Sequence, residues 1–190
     1  MSRALVVYGS KRGGTAGLAQ MVGGSLQEHG WEVVVQDAAA PADLRDVDLV
    51  IIGGALYMNR WHKAARSFAK RRESVLAGLP VWLFSSGPLD DSAAAGDIAA
   101  VPQVQEIARQ LEARGHMTFG GRLAADAKGF GARSLAKKCA GDYRDTKQVT
   151  AWVREILHEL APVDPAADAA TVRAAIPAQR RRAGAPAEAG

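Results

Sequence analysis

Cys139 is the only cysteine in the chain. No intramolecular disulfide can form, and a reducing compartment, the cytoplasm, is the simpler expectation. No apolar run approaches the ~20 residues that span a bilayer. The N-terminus reads as a strand, without the charged, apolar and cleavage regions of a secretory signal. No repeat of about 20–50 residues is present, which excludes solenoids and propellers. No Cys, His, Asp or Glu cluster has metal-ligand spacing, so no metal is expected. No nucleic-acid motif accompanies the basic residues, so no nucleic-acid partner is expected. Oligomeric state stays open.

What is there is a 190-residue chain, 48% hydrophobic, with net charge +4. Basic residues concentrate in RWHKAARSFAKRR, Arg60 to Arg72. Two readings of that stretch stand side by side. One is a solvated helix face. The other is a patch turned to an anionic ligand or the inner membrane face, a peripheral contact.

The hydrophobic pattern alternates short apolar runs with helical stretches. Strands are predicted at Ala4–Tyr8, Trp31–Val35, Val47–Ile52, Pro80–Ser85 and Met117–Ala124. Helices are predicted at Thr15–His29, Trp61–Leu76, Val101–Arg114 and Val149–Leu160, with Gly30 as a C-cap. This order implies crossover connections and an α/β doubly wound, five-stranded parallel sheet with helices on both faces. From Pro162 the composition turns to Ala, Pro and Arg. The reading is one domain over 1–161 and a disordered tail over 162–190, with a short helix near Ala167–Ala175.

In such a sheet, ligands sit at the carboxyl ends of the strands. Here those ends are GSKRGGT, GGALYMN and SSGPLDD. The first suits a phosphate. From Gly9 the second glycine of a dinucleotide fingerprint is missing. Gly9 and Gly14 have the spacing of a triphosphate loop, but Thr15 stands where its lysine belongs. What survives is a cradle for one terminal phosphate, with Ser10 and Thr15 hydroxyls and backbone N–H groups around Gly13 and Gly14. Lys11 and Arg12 share the loop, with water as their simpler destination. The bland alternative is a tight turn with an N-cap.

VVYGSKRGGTAGLA resembles the phosphate loop of flavodoxin-like proteins, roughly [ST]-x-[ST]-G-x-T. Ser10, Gly13 and Thr15 match, and Arg12 replaces a hydroxyl residue. IIGGALYMNRWHKAARSFAKR, with His62 and Phe68 in place, is similar to the bacterial menaquinone-linked protoporphyrinogen oxidase subgroup, as are FGGRLA and GDYRDTKQVTAWVREI. The resemblance covers about Arg3 to Leu160. It implies strand order 2-1-3-4-5 and FMN as cofactor. It also implies flavin contacts from Gly54, Ala55, Leu56 and Tyr57, and from Ser85, Ser86, Gly87 and Pro88. Tyr57 is the first choice to stack on the ring, with a core-capping role as its alternative. His62 is either a proton donor or a surface residue at a helix start. The placement of Asp90 and Asp91 is open.

Two functions compete. One is an FMN oxidoreductase moving electrons from a reduced small molecule, such as a porphyrinogen, to a quinone-like acceptor. The other is a carrier of electrons between proteins. Carriers that resemble flavodoxin are strongly acidic, whereas this chain is basic, which leans toward the enzyme. A non-catalytic FMN-binding protein is a third class.

Overall fold

The computed structural model describes residues 1–127 and 132–161. The chain divides into a unit of Met1–Glu155 and a second of Ile156–Gly190, of which the end of the last helix and Ala161 are described. The expected tail over 162–190 lies outside the described residues.

Five strands form a parallel sheet in the order β2-β1-β3-β5-β6, which is the expected 2-1-3-4-5 arrangement. They are β1 (Arg3–Gly9), β2 (Glu32–Asp37), β3 (Leu49–Tyr57), β5 (Val81–Ser86) and β6 (Gly115–Phe119). A short β4 (Arg60–Trp61) turns back antiparallel onto β3. The long helices are α1 (Gly14–Glu28), α2 (Lys63–Arg71), α5 (Pro102–Gln110) and α7 (Thr146–Leu160). Single turns α3 (Glu73–Leu76) and α4 (Ser92–Ala95), helix α6 (Ala132–Cys139), and a two-stranded ribbon of β7 (Arg122–Leu123) and β8 (Gly141–Asp142) complete the described elements.

Side chains alternate across the sheet. Leu5, Val7, Val50, Ile52, Val81 and Leu83 join Ala65, Phe68 and Ala69 of α2 and Val104 and Leu111 beside α5 in one buried cluster. On the other face, Phe84, Phe119 and Trp152 meet edge-on, with ring centroids 5.4–6.3 Å apart. Such aromatic pairs add about 0.5–1.5 kcal/mol each beyond burial. Leu18, Val22 and Leu26 of α1 are fully buried, as their four-residue spacing implies. Gly30, at φ +83°, turns the chain after α1.

Three elements differ from expectation around the site. The third strand runs on through Gly53-Gly54 to Tyr57. A Cβ at Gly53 would fall on the Phe84 ring, and one at Gly54 on the Trp61 ring. The two glycines therefore make room for aromatics within a strand, rather than breaking it. The second helix starts at Lys63, because Trp61 belongs to a hairpin. Met58 and Asn59, with φ of +50° and +59°, form its two-residue turn, the pair of left-handed residues that a type I′ connection needs. The fifth strand likewise ends at Phe119, and its expected continuation becomes β7.

Candidate functional site

The carboxyl ends of β1, β3 and β5 lie in register, with Gly9 opposite Gly54 and Gly54 opposite Ser85. Their loops converge on one cleft. Ser10, Arg12, Gly14 and Thr15 line it from the first loop. Ala55, Leu56 and Tyr57 line it from the end of β3, and Ser86 and Gly87 from the third loop.

The first loop is built to leave donors free. Ser10 Oγ accepts a hydrogen bond from Gly13 N at 3.0 Å, closing the turn before α1. Gly13 has φ +78°, a conformation that costs other residues about 1–2 kcal/mol. No side chain caps the N-terminus of α1, and no acidic residue stands in its first turn. Thr15 is 1% exposed, and its Oγ1 has no partner. A buried, unpartnered hydroxyl costs about 1–3 kcal/mol. Together with the free N–H groups and the positive helix end, it matches the donor set of one phosphate.

Arg12 departs from the expected solvent-facing role. Its guanidinium carbon lies 5.8 Å from the Tyr57 ring centroid. The His62 ring also stands near Tyr57, 6.2 Å away between ring centroids and tilted by 58°. Tyr57 thus has a cation and an imidazole as neighbours while it lines the cleft.

His62 does not line the cleft among the described residues. Its Nδ1 accepts from Ala64 N at 3.3 Å and caps α2. Burial lowers its pKa, with Lys11 and Arg66 acting the same way against Asp37. With Nδ1 accepting from Ala64 N, the neutral ring carries its proton on Nε2. It also fills the space where a Cβ on Gly9 would lie, 2.7 Å from Nδ1.

Ser85 does not line the cleft with its side chain. It is fully buried, and its hydroxyl lies 3.0 Å from His116 Nε2, on the sheet face away from Ser86. Pro88 supports the cleft wall rather than lining it, since its carbonyl accepts from Gly121 N at 2.7 Å. Gly54 lies under Trp61. Lys11 and Gly13 flank the loop without lining the cleft. Asp90 and Asp91 are exposed and outside it, and Asp90 accepts from the Ser92 N–H at 3.0 Å and from the Ser92 hydroxyl.

A fourth wall escaped the sequence reading: Gly121, Arg122 and Leu123, with Leu89 beside them. Arg122 backbone stands 3.3–3.4 Å from where a Cβ on Gly14 would lie. Its guanidinium pairs with Asp142 at 3.8 Å, and Asp142 also binds Arg144. The Arg144 hydrogen bonds hold the Asp142 carboxyl below its usual range. Arg144 in turn lies against Gly17 in α1, where any side chain would collide with it. The FGGRLA segment carried this signal: a glycine pair that lets the backbone turn in, followed by a cation.

A family model described as Flavodoxin domain matches residues 5–165. The chain belongs to the flavodoxin-domain family. FMN is the cofactor of that family, and the phosphate donor set around Thr15 fits it. No curated protein matches the chain. Among solved structures it is similar to oxidised Flavodoxin 2 from Bacillus cereus, at 19% identity and TM-score 0.57, covering 83% of this chain and 99% of that one. It is similar to a Streptococcus pneumonia flavodoxin, at 16% identity and TM-score 0.54, covering 83% and 99%. It is also similar to a mutant flavo di-iron protein from Thermotoga maritima, at 17% identity and TM-score 0.58, covering 84% of this chain and 36% of that one. These likenesses concern the fold. Among the described residues, no helix is long and apolar enough to cross a membrane, and no group of His, Cys, Asp and Glu is placed to hold a metal.

Proposed function

We propose that this flavodoxin-domain protein holds FMN by its phosphate on Ser10–Thr15 and passes electrons between redox partners. Thr15 Oγ1 and the uncapped amides of α1 would hold the phosphate. Tyr57, Leu56 and Ala55 would face the ring from one loop, and Ser86 and Gly87 would offer polar groups from another. Bound FMN supplies reversible one- and two-electron reduction.

The observation that favours a carrier is what the cleft lacks. Among its described lining residues there is no carboxylate, imidazole or thiol. Dehydrogenating a porphyrinogen or protonating a quinone calls for a positioned acid or base; His62 is engaged as the α2 cap, which leaves Tyr57 as the one such side chain among the described lining residues. His62 is a positioning residue in this reading: it stands beside Tyr57 and caps α2.

A second reading keeps the oxidoreductase that resembles the protoporphyrinogen oxidase subgroup. A reduced small molecule would donate, a quinone at the membrane surface would accept, and the basic α2 would attract either one. The cationic stretch from Arg60 to Arg72 supports it. Purification followed by an absorbance spectrum tests the common part: a colourless protein that ignores added FMN sinks both readings. Anaerobic turnover with protoporphyrinogen or reduced nicotinamide and menadione separates them. Sustained turnover selects the oxidoreductase. No turnover, with fast one-electron exchange with a protein partner, selects the carrier.

A further inference from the structure

The hairpin between β3 and β4 ends in Met58, which is 97% exposed. Among the described residues, exposed large hydrophobics are otherwise Met1 and Val75. Met58 follows Tyr57, a cleft-lining residue, so this apolar tip stands at the cleft's mouth. It is held there firmly. Tyr57 pairs with Arg60 and Leu56 with Trp61, and Trp61 N donates to Gln103 Oε1 at 3.1 Å, fixing the hairpin to α5. Methionine at φ +50° is strained, and such strain at an ordered turn beside a site marks a position kept for use.

Cations surround the tip. Arg60 is in the hairpin and exposed, and Lys63 opens α2 and is exposed. Arg12 lies over Tyr57. Lys11 and Arg66 are near enough to His62 to act on it electrostatically. None of these five has an ion-pair partner among the described residues; the ion pairs there involve Arg3, Arg45, Arg109, Arg122 and Arg144. Asp37 is a carboxylate near enough to His62 to act on it, and its Oδ1 accepts from Ala39 N.

We propose that the Met58 tip with Arg60, Lys63, Lys11 and Arg12 is a docking surface for an acidic redox protein. It rests on the electron-carrier reading and names that carrier's partner by charge. An apolar point ringed by free cations is the complement of a redox centre ringed by carboxylates, and such complementarity governs encounter rate and orientation. A membrane fits less well. Ala65, Phe68 and Ala69 of α2 are buried and Ala64 is half-buried, so the helix offers charge to a bilayer but no large apolar inserting face. With an iron–sulfur donor, each reduced cluster loses one electron per encounter. Two encounters, with protons from solvent, complete reduction of the bound cofactor.

The test uses the full chain loaded with FMN in stopped flow. The probes are reduced plant-type ferredoxin, an acidic [2Fe–2S] protein, as donor, and basic cytochrome c as acceptor. The ferredoxin rate should fall about tenfold or more between low and high salt. The double variant Arg60→Glu, Lys63→Glu should lower the low-salt rate by a similar factor, flatten the salt dependence, and speed exchange with cytochrome c. Its FMN affinity and its reduction by dithionite should stay unchanged. A salt-independent ferredoxin rate, or a double variant that matches wild type, overturns the docking surface and leaves the FMN reading intact. Co-sedimentation with phosphatidylglycerol vesicles that the double variant abolishes, beside a salt-independent ferredoxin rate, assigns the surface to a membrane and also overturns it. Failure to bind FMN at all sinks the carrier reading itself.

Discussion

Replacing Thr15 by valine separates a phosphate ligand from a structural hydroxyl by the sign of two effects. The two side chains are nearly isosteric, and Thr15 is 1% exposed with no partner for Oγ1. In the empty protein the hydroxyl is a desolvated, unsatisfied group, costing about 1–3 kcal/mol. Thr15→Val therefore stabilises the FMN-free protein, by about 1–2 kcal/mol, or about 2–8 °C in Tm for a chain of this size. In the loaded protein the same hydroxyl donates to a charged acceptor. Its loss weakens FMN binding by about 1–3 kcal/mol, or about 5- to 150-fold in Kd. Riboflavin, identical except for the phosphate, should bind both forms equally. The assay is flavin fluorescence quenching with FMN and with riboflavin, beside thermal melts of the FMN-free forms. A variant whose FMN-free Tm falls shows that Oγ1 has a partner in the folded chain. Equal losses for FMN and riboflavin place the hydroxyl somewhere other than the phosphate. Either result refutes the assignment.

His116 makes a pH prediction. Burial pushes its pKa down to about 4, while in the unfolded chain it titrates near ~6.5. Between those values the unfolded state binds the extra proton, so stability falls as pH drops from about 6.5 toward 4, by up to about 3 kcal/mol. His116→Gln, which can still bond Ser85, should flatten urea-melt stability over that window, and an unchanged slope would assign the loss to other groups. Gly54→Ala should cost about 1–3 kcal/mol by overpacking against the Trp61 ring, read as a lowered urea midpoint; a neutral outcome would show that Trp61 is free to move aside. Met58→Gly should be about 0.5–1 kcal/mol more stable than Met58→Ala, because only glycine relieves the positive φ. Equal stabilities would mean that the turn is not left-handed at Met58.

The periodic parts of this molecule were legible. Leu18, Val22 and Leu26 foretold the buried stripe of α1, and the alternation of strands and helices foretold a parallel sheet, whose strand order the family resemblance implied. The first loop was legible too, because excluding the dinucleotide and triphosphate designs depends only on which residues occupy fixed spacings. What failed depended on long-range contacts. Gly53-Gly54 reads locally as a strand end, yet the glycines make room for Phe84, which is remote in sequence, and for Trp61, which reaches Gly54 only because the hairpin folds it back. A type I′ turn is announced by Asn-Gly or Gly-Gly; Met58-Asn59 gives half that signal, so Trp61 was assigned to the helix rather than to the hairpin. The two-residue period of a strand sends the Ser85 and Ser86 side chains to opposite faces, and His116 takes the Ser85 hydroxyl, a partner thirty-one residues away that no local pattern announces.

Arg12 carries the argument furthest. At its position a hydroxyl would give the phosphate one more donor. An arginine instead reaches past the loop to Tyr57, 5.8 Å away, and its charge joins those of Lys11, Arg60 and Lys63. The phosphate loop tolerates this exchange because backbone N–H groups and Thr15 remain, and backbone donors do not depend on side-chain identity. The rim has no such redundancy, since its sign is set by side chains alone. One substitution therefore trades little at the phosphate for a change in which partner's charge the cleft mouth attracts. On the docking proposal, the cations at the cleft mouth select the partner, while the phosphate rests on backbone N–H groups and Thr15.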